Sequence, residues 1–238
     1  MWWDRFLWQL GFCVCHQAPE RILLFGERPL FVCARDTGVF TSFFAALLAL
    51  SLLTRRRRAG TPPAPVLLLV AAGIAFMAWD GFTSYWGWRE SGNTIRFLSG
   101  FAAGTGLAFP VAAMLNREVF GGETSLKVGG SLREWSTVAV AASACLAVYL
   151  WRPAFLFRLG QSWLLVSMLG TLWSLNLLLS SLLLVKGGRR RPAFLCAVAA
   201  VLVAGELSAA YVLHRWLAGH GPGQFPWAAR GPVQPGGA

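Results

Sequence analysis

The chain has 238 residues, 56% of them hydrophobic and 13% charged, with a mean hydropathy of +0.55. Soluble domains carry about a quarter charged residues, so this composition excludes an ordinary soluble domain. The net charge of +11 does not point to nucleic acid, because the clustered cations flank apolar runs and no recognition motif accompanies them.

Several apolar stretches approach the roughly 20 residues that cross a bilayer core as a helix. The ten-residue alternation of a membrane β-barrel is missing. The predicted fold class is therefore all-α: a polytopic integral membrane bundle of about six transmembrane helices behind an N-terminal interfacial segment. The segment takes residues 1–37, the bundle 38–218, and a Pro- and Gly-rich tail, expected to be disordered, 219–238.

Residues 1–12 carry Trp2, Trp3 and Trp8, together with Asp4 and Arg5. Tryptophan favours the membrane interface, and a small-residue cleavage site is missing, so the stretch reads as an interfacial helix rather than a cleavable signal. Residues 13–37 are too polar to span and too apolar to float free, and are expected to fold back on the bundle. Pro19 suits the start of a helical turn, and Gly26 and Pro29 act as breakers.

The first span is predicted over about Gly38–Leu53, with Phe31–Ala34 as an extension, ending at Arg55–Arg58. The second runs over Val66–Ala78 and on towards Trp86, and the third over Thr94–Leu115. A Gly-interrupted loop, Asn116–Glu134, follows. The fourth span covers Trp135–Leu150, the fifth Ser162–Val185 and the sixth Ala193–Leu217. Arg55–Arg58, the Asn116–Glu134 loop and the Lys186–Arg191 cluster are separated by even numbers of spans. The positive-inside tendency makes that side cytoplasmic. The expected location is the plasma membrane, multi-pass, with both termini outside.

This topology gathers distant ligand-type residues on the outer face. Cys13, Cys15, His16, Cys33 and Asp36 precede span one, Asp80 to Arg96 joins spans two and three, and His214 ends span six. At 1.5 Å per residue, Asp80 lies roughly 21 Å above Val66 and Glu206 roughly 20 Å above Ala193. Ionisable groups at such depth usually face a cavity or a partner. Asp80 and Glu206 are the candidate catalytic carboxylates, since a low-dielectric setting raises a carboxylate towards general-base use. The bland alternative pairs Glu206 with an arginine such as Arg96.

Arg89, Glu90, Ser91, Asn93 and Arg96 form the candidate substrate-binding stretch. Asn93 is expected to cap the third span, and a helix start flanked by arginines suits an anion, with a lipid headgroup the obvious one. The alternative is a salt-bridge network of Arg89, Glu90 and Arg96 with Asp80. Gly100 and Gly104 lie four apart, a pattern for close helix packing. Cys15, His16, Cys33 and Asp36 are the candidate metal ligands, for zinc or another transition metal. A disulfide from Cys13 or Cys15 to Cys33 and simple packing of small thiols stay open beside it. Cys145 and Cys196 read as packing residues.

The residues Cys15-His16-Gln17, Arg21, Cys33-Ala34-Arg35 with Thr37-Gly38, Asp80-Gly81 and Arg89-Glu90-Ser91-x-Asn93-x-x-Arg96, followed by Gly100 and Gly104, resemble a family of prokaryotic membrane proteins catalogued as a domain of unknown function. The resemblance covers about residues 13–110. The family pattern C-H-Q…C-A-R-C-T-G implies a metal or redox site. Here Asp36 stands where a cysteine is expected, which removes the dithiol and counts against a redox role, while an aspartate still serves a metal. Two functional expectations follow: a membrane enzyme acting on a lipid or phosphorylated lipid-like substrate, or an accessory subunit of a membrane assembly. A transporter ranks third, because no internal repeat stands out.

Overall fold

The computed structural model describes residues 2–52, 58–184 and 192–217. Arg55–Arg57, the Lys186–Arg191 cluster, His220 and the tail lie outside the described residues. The order is helix α1 (Trp2–Phe12), a short 3-10 turn (Pro19–Arg21), strands β1 (Ile22–Phe25) and β2 (Arg28–Cys33), α2 (Ala34–Leu52), β3 (Arg58–Gly60), α3 (Ala64–Tyr85), α4 (Asn93–Glu118), β4 (Glu123–Lys127), α5 (Leu132–Trp151), α6 (Phe157–Leu184) and α7 (Pro192–Leu217). The chain is a polytopic helical membrane protein. Among the described residues, α3 to α7 are each long and apolar enough to cross a bilayer. The predicted first span corresponds to α2, which is the shortest of the six long helices at 19 residues and opens on Arg35 and Asp36.

The connectors, expected as turns and loops, carry two short strand pairs. Residues 22–33 form an antiparallel hairpin turning at Gly26, whose φ of 62° lies in the left-handed region that glycine adopts freely. The stretch Phe31–Cys33 therefore belongs to the hairpin and does not extend the span. The hairpin's apolar residues Ile22, Leu23, Phe25, Leu30, Phe31 and Val32 are buried with Trp8 of α1, Phe97 of α4 and Tyr149 of α5. Phe97 stacks on Tyr149, and Phe25 meets the same ring edge-on. This is how a connector too apolar for water folds back on the bundle.

At the opposite end β3 pairs in parallel with β4. Only two antiparallel crossings between them, α3 and α4, bring such strands to one side. Arg58 and the Asn116–Glu134 loop therefore share an end, as the even spacing predicts. There Asn116 donates to the Arg58 carbonyl at 2.8 Å, and the buried Glu134 accepts from the Gly129 amide at 3.1 Å and faces Arg58 at 3.8 Å. The N-terminal motif, the α3–α4 turn, the α5–α6 turn and the C-terminal end of α7 gather at the other end. Contacts between Gly26 and Ala154, Arg35 and Asp80, and Phe12 and His214 demonstrate it.

The α2–α4 crossing fixes the geometry of that end. Gly38 of α2 abuts the backbone at Phe97 and Phe101. Gly100 abuts the Arg35 carbonyl, and Gly104 the Val39 backbone and the Ser42 hydroxyl. Ser42 Oγ in turn donates to the Phe101 carbonyl at 2.9 Å. Small residues spaced by four let two backbones meet, and dispersion then replaces the hydrophobic drive that lipid does not supply. A Cβ on Gly100 has no room, so Gly100→Leu is expected to cost at least ~1–3 kcal/mol of overpacking and to lower the melting temperature in detergent. Gly205→Ala, where a Cβ meets nothing within 4 Å, leaves that temperature unchanged or raises it.

Candidate functional site

The site starts from Gln17, which closes the turn after α1 with a φ of 51°. A left-handed conformation is uncommon outside glycine and has to be held by its surroundings. The buried Gln17 amide supplies the hold, donating to the Trp8 carbonyl at 2.8 Å and the Phe31 carbonyl at 2.7 Å. These bonds lock α1 to β2 and bring Cys15 against Cys33. Gly11, where any side chain would strike the Phe31 carbonyl, allows the approach. Sequence reasoning quoted Gln17 as part of the motif but gave it no role.

Cys15 Sγ, Cys33 Sγ and a carboxylate oxygen of Asp36 lie within 4.8 Å of one another. The Cys15 sulfur accepts the backbone N–H groups of Gln17 and Cys33, both at 3.4 Å, and the Cys33 thiol donates to Asp36 Oδ2 at 3.1 Å. Thr37 donates to the Cys33 carbonyl at 2.9 Å and anchors the strand-to-helix junction. The Cys33 thiol, whose one proton is shared between Asp36 and Cys15, holds Cys15 below the ordinary thiol range, against its burial. Cys33, bonded to Cys15 and buried, is pushed far up. The first proton to leave this pair is thus the one on Cys15.

The donor set suits a transition metal. A tetrahedral centre with metal–sulfur bonds of ~2.3 Å spaces its ligands about 3.8 Å apart, so each pair of donors needs to move by no more than about 1 Å. Two amides directed at one sulfur favour its thiolate form. Three protein donors leave one position open, which is the pattern of catalytic rather than structural zinc sites. His16 is not the fourth donor: it is exposed, and its ring lies 5.2 Å from that of His214, whose Nδ1 meets the Phe12 carbonyl. Cys13 also stands apart, donating to the Gln9 carbonyl.

Beside the thiols lies a second cluster. Asp80, fully buried on α3, accepts from Arg35 Nη2 at 2.5 Å, Arg89 Nη2 at 2.7 Å, Ser91 Oγ at 2.5 Å and Ser99 Oγ at 3.3 Å. The Arg35 guanidinium lies along α3 beside Gly81, where an added Cβ would meet Nη1 at an ordinary contact distance of 3.6 Å. The Nε atoms of Arg35 and Arg89 are buried and have no hydrogen-bond partner. Arg96 lies within the fields of Arg21, Arg35, Asp80 and Cys33. Arg35 and its neighbour Asp36 join the two clusters.

Asn93 does not cap α4. The cap position is Gly92, and Asn93 is the first helical residue. Its amide instead donates to the carbonyls of Glu20 and Ile22, both at 3.1 Å, while its oxygen accepts from Arg96 at 3.2 Å. The carbonyls of the incoming hairpin outcompete the helix start for that side chain. Glu90 is exposed and stands outside the network. Glu206 neither pairs with Arg96 nor joins Asp80; it accepts from Asn176 of α6 at 2.8 Å. Equal depth in two helices does not make them neighbours, and α7 packs on α6 and α1.

Residues 15–109 match the family described as "Predicted membrane protein (DUF2085)". An uncharacterized protein of Methanothermobacter thermautotrophicus is 38% identical over 95 residues, covering 40% of this chain and 81% of that protein. The chain belongs to this family. A second uncharacterized protein, from Methanocaldococcus jannaschii, is 33% identical over 97 residues, covering 40% of this chain and 60% of its own length. No solved structure matches the chain. The matched stretch holds both clusters and ends within α4, so α5 to α7 lie beyond it.

Two measurements probe the site. Asp80→Ala leaves the arginines around it without their shared acid, and breaking a buried ion pair this way costs ~3–5 kcal/mol; the detergent melting temperature should drop well below that of Asp80→Asn. In metal-free protein, thiolate absorbance followed against pH should show Cys15 ionising below the ordinary thiol range. Cys33→Ala removes the donor to Cys15 and should move that step to higher pH.

Proposed function

We propose that the protein is an integral membrane enzyme whose site lies at the outer face of the plasma membrane and acts on an anionic, phosphate-bearing lipid-like substrate. The observation that carries this reading is the three-donor cluster of Cys15, Cys33 and Asp36 placed directly beside guanidinium groups with unsatisfied N–H donors. Cys15, Cys33 and Asp36 would hold a zinc or similar ion, which supplies Lewis-acid activation of water at neutral pH. Arg35, Arg89 and Arg96 attract and orient the anionic head; paired donors of this kind recognise phosphate well.

Asp80 is reassigned in this proposal. Both of its oxygens are engaged by guanidinium or hydroxyl donors, which suits holding the arginines in place rather than accepting a proton. Asn93 positions Arg96 and ties it to the hairpin that carries Cys33. Glu206 takes no part. The outward orientation is supported by the arginine cluster that ends at Arg58, on the end opposite the site.

One observation favours a second reading. The saturated Asp80 network would also serve a subunit that only braces the end of a bundle within a larger membrane assembly. The two readings separate by experiment. Full-length protein purified without chelator should contain about one transition-metal ion per chain, and Cys15→Ser and Asp36→Ala should each lose most of it while the melt stays cooperative. Wild-type protein without metal sinks the metal assignment; metal loss only together with unfolding favours the bracing role.

A further inference from the structure

A groove of about 470 Å³ runs along α3 and α4 towards α5 and is lined by Val66, Val70, Gly73 and Phe76 of α3 and by Ala102 and Thr105 of α4, among others. Its base is narrow because Gly73 lies against the Ala102 backbone and Gly106 against Val70. Trp135, at its α5 side, is fixed by a bond from its indole N–H to the Gly129 carbonyl at 3.0 Å. The lining is mostly apolar, and Thr105 adds a hydroxyl that is buried and, among the described residues, has no hydrogen-bond partner.

The register of the two helices gives this groove a direction. Val66, Val70, Gly73 and Asp80 follow one another at spacings of four, three and seven, so they lie on one face of α3. On α4, Gly106, Ala102 and Ser99 continue a face in the same way, and Ser99 donates to Asp80. The groove's lining ends at Phe76 and Phe101, and Asp80 follows Phe76 one turn further along α3, so the groove points along both helices towards the Asp80 cluster. From Val66 to Asp80 is about 21 Å of helix, most of a hydrocarbon core ~30 Å thick. Beyond its upper end stand three guanidinium groups, Arg35, Arg89 and Arg96, against two carboxylates, those of Asp80 and of Asp36 beside Arg35. A surplus of fixed cations at the head of an oily channel complements an amphiphile with an anionic head and a single long tail.

We propose that this groove holds the hydrocarbon chain of a phosphate-bearing amphiphile whose head lies at Arg35, Arg89 and Arg96. The assignment rests on the anionic-headgroup reading above and adds the tail to it. Ala72 stands at the open side of the groove and is exposed, so Ala72→Trp fills the groove without entering the α3–α4 contact.

The test is a titration of the full-length, detergent-purified protein, followed by native mass spectrometry, with hexadecyl phosphate, hexadecanol and inorganic phosphate as probes. Hexadecyl phosphate should bind at least about tenfold more tightly than either of the others. Ala72→Trp should remove that advantage and leave inorganic phosphate binding unchanged, while Arg96→Gln should weaken both phosphate probes. Equal binding of hexadecanol means the groove takes bulk lipid and overturns the proposal. So does an Ala72→Trp variant that binds hexadecyl phosphate like the wild type, or an Ala72→Cys variant that crosslinks efficiently to a second copy. Unchanged phosphate binding in both Arg96→Gln and Arg89→Gln sinks the headgroup reading itself, whatever Ala72→Trp does. Metal content measured on the same samples reports on the metal separately.

Discussion

The carboxylate of Asp80 is the constraint on which this end of the molecule depends. It sits fully buried within a membrane-spanning helix, where an unpaired charge is costly enough to select its own partners. Arg35 from α2, Arg89 and Ser91 from the α3–α4 turn, and Ser99 from α4 all supply them. One acid thereby fixes three helices and a turn at a common point. Each arginine uses one nitrogen on Asp80 and keeps Nε without a partner. The network holds its cations in place while leaving them with donors to spare, which is the arrangement an anion-binding site requires.

The hairpin and its clamps transmit that placement to the thiols. Gln17 ties α1 to β2, Asn93 ties the start of α4 to β1, and Thr37 ties β2 to α2. Each is a polar side chain that satisfies backbone carbonyls which a connector at a membrane boundary would otherwise leave unpaired. Because β2 runs directly into α2, Cys33 precedes Arg35 and Asp36 by only a few residues. A strand-to-helix junction turns successive side chains in different directions, so Cys33 and Asp36 meet Cys15 while Arg35 reaches Asp80. Soft donors and guanidinium groups thus stand side by side.

The region beyond the family match adds support rather than ligands. α5 contributes Tyr149, whose hydroxyl donates to the Gly160 carbonyl at 2.6 Å and whose ring carries Phe25 and Phe97. α6 anchors α1 through Arg158 and Asp4. Among the described residues, α7 meets the N-terminal segment near its C-terminal end, through Tyr211 and His214. Among the described residues, these three helices thus tether α1 and brace the hairpin.

The sequence by itself determined the membrane class, the span boundaries within a few residues and the end of the bundle at which the described connectors lie. Hydropathy fixes the first two, and the parity of crossings fixes the third. It also marked most residues of both clusters, because charged and soft side chains are conspicuous in an apolar chain, but it gave Arg35 no role beyond its place in the motif and passed over Ser99. Tertiary structure alone decided how those residues combine. Hydropathy counts crossings but carries no azimuth, so Glu206 appeared level with Asp80 although α7 stands apart from α3. Hydrogen bonding between distant segments moved Asn93 from a cap to a clamp and made Gln17 a lock. The hairpin was illegible because its burial comes from Tyr149 and Phe97, far along the chain. His16, adjacent to Cys15 in sequence, is exposed and lies beside His214, while Cys15 is buried against Cys33. The thiols, the aspartate and the guanidiniums become one site only where α2 and α4 cross through glycine.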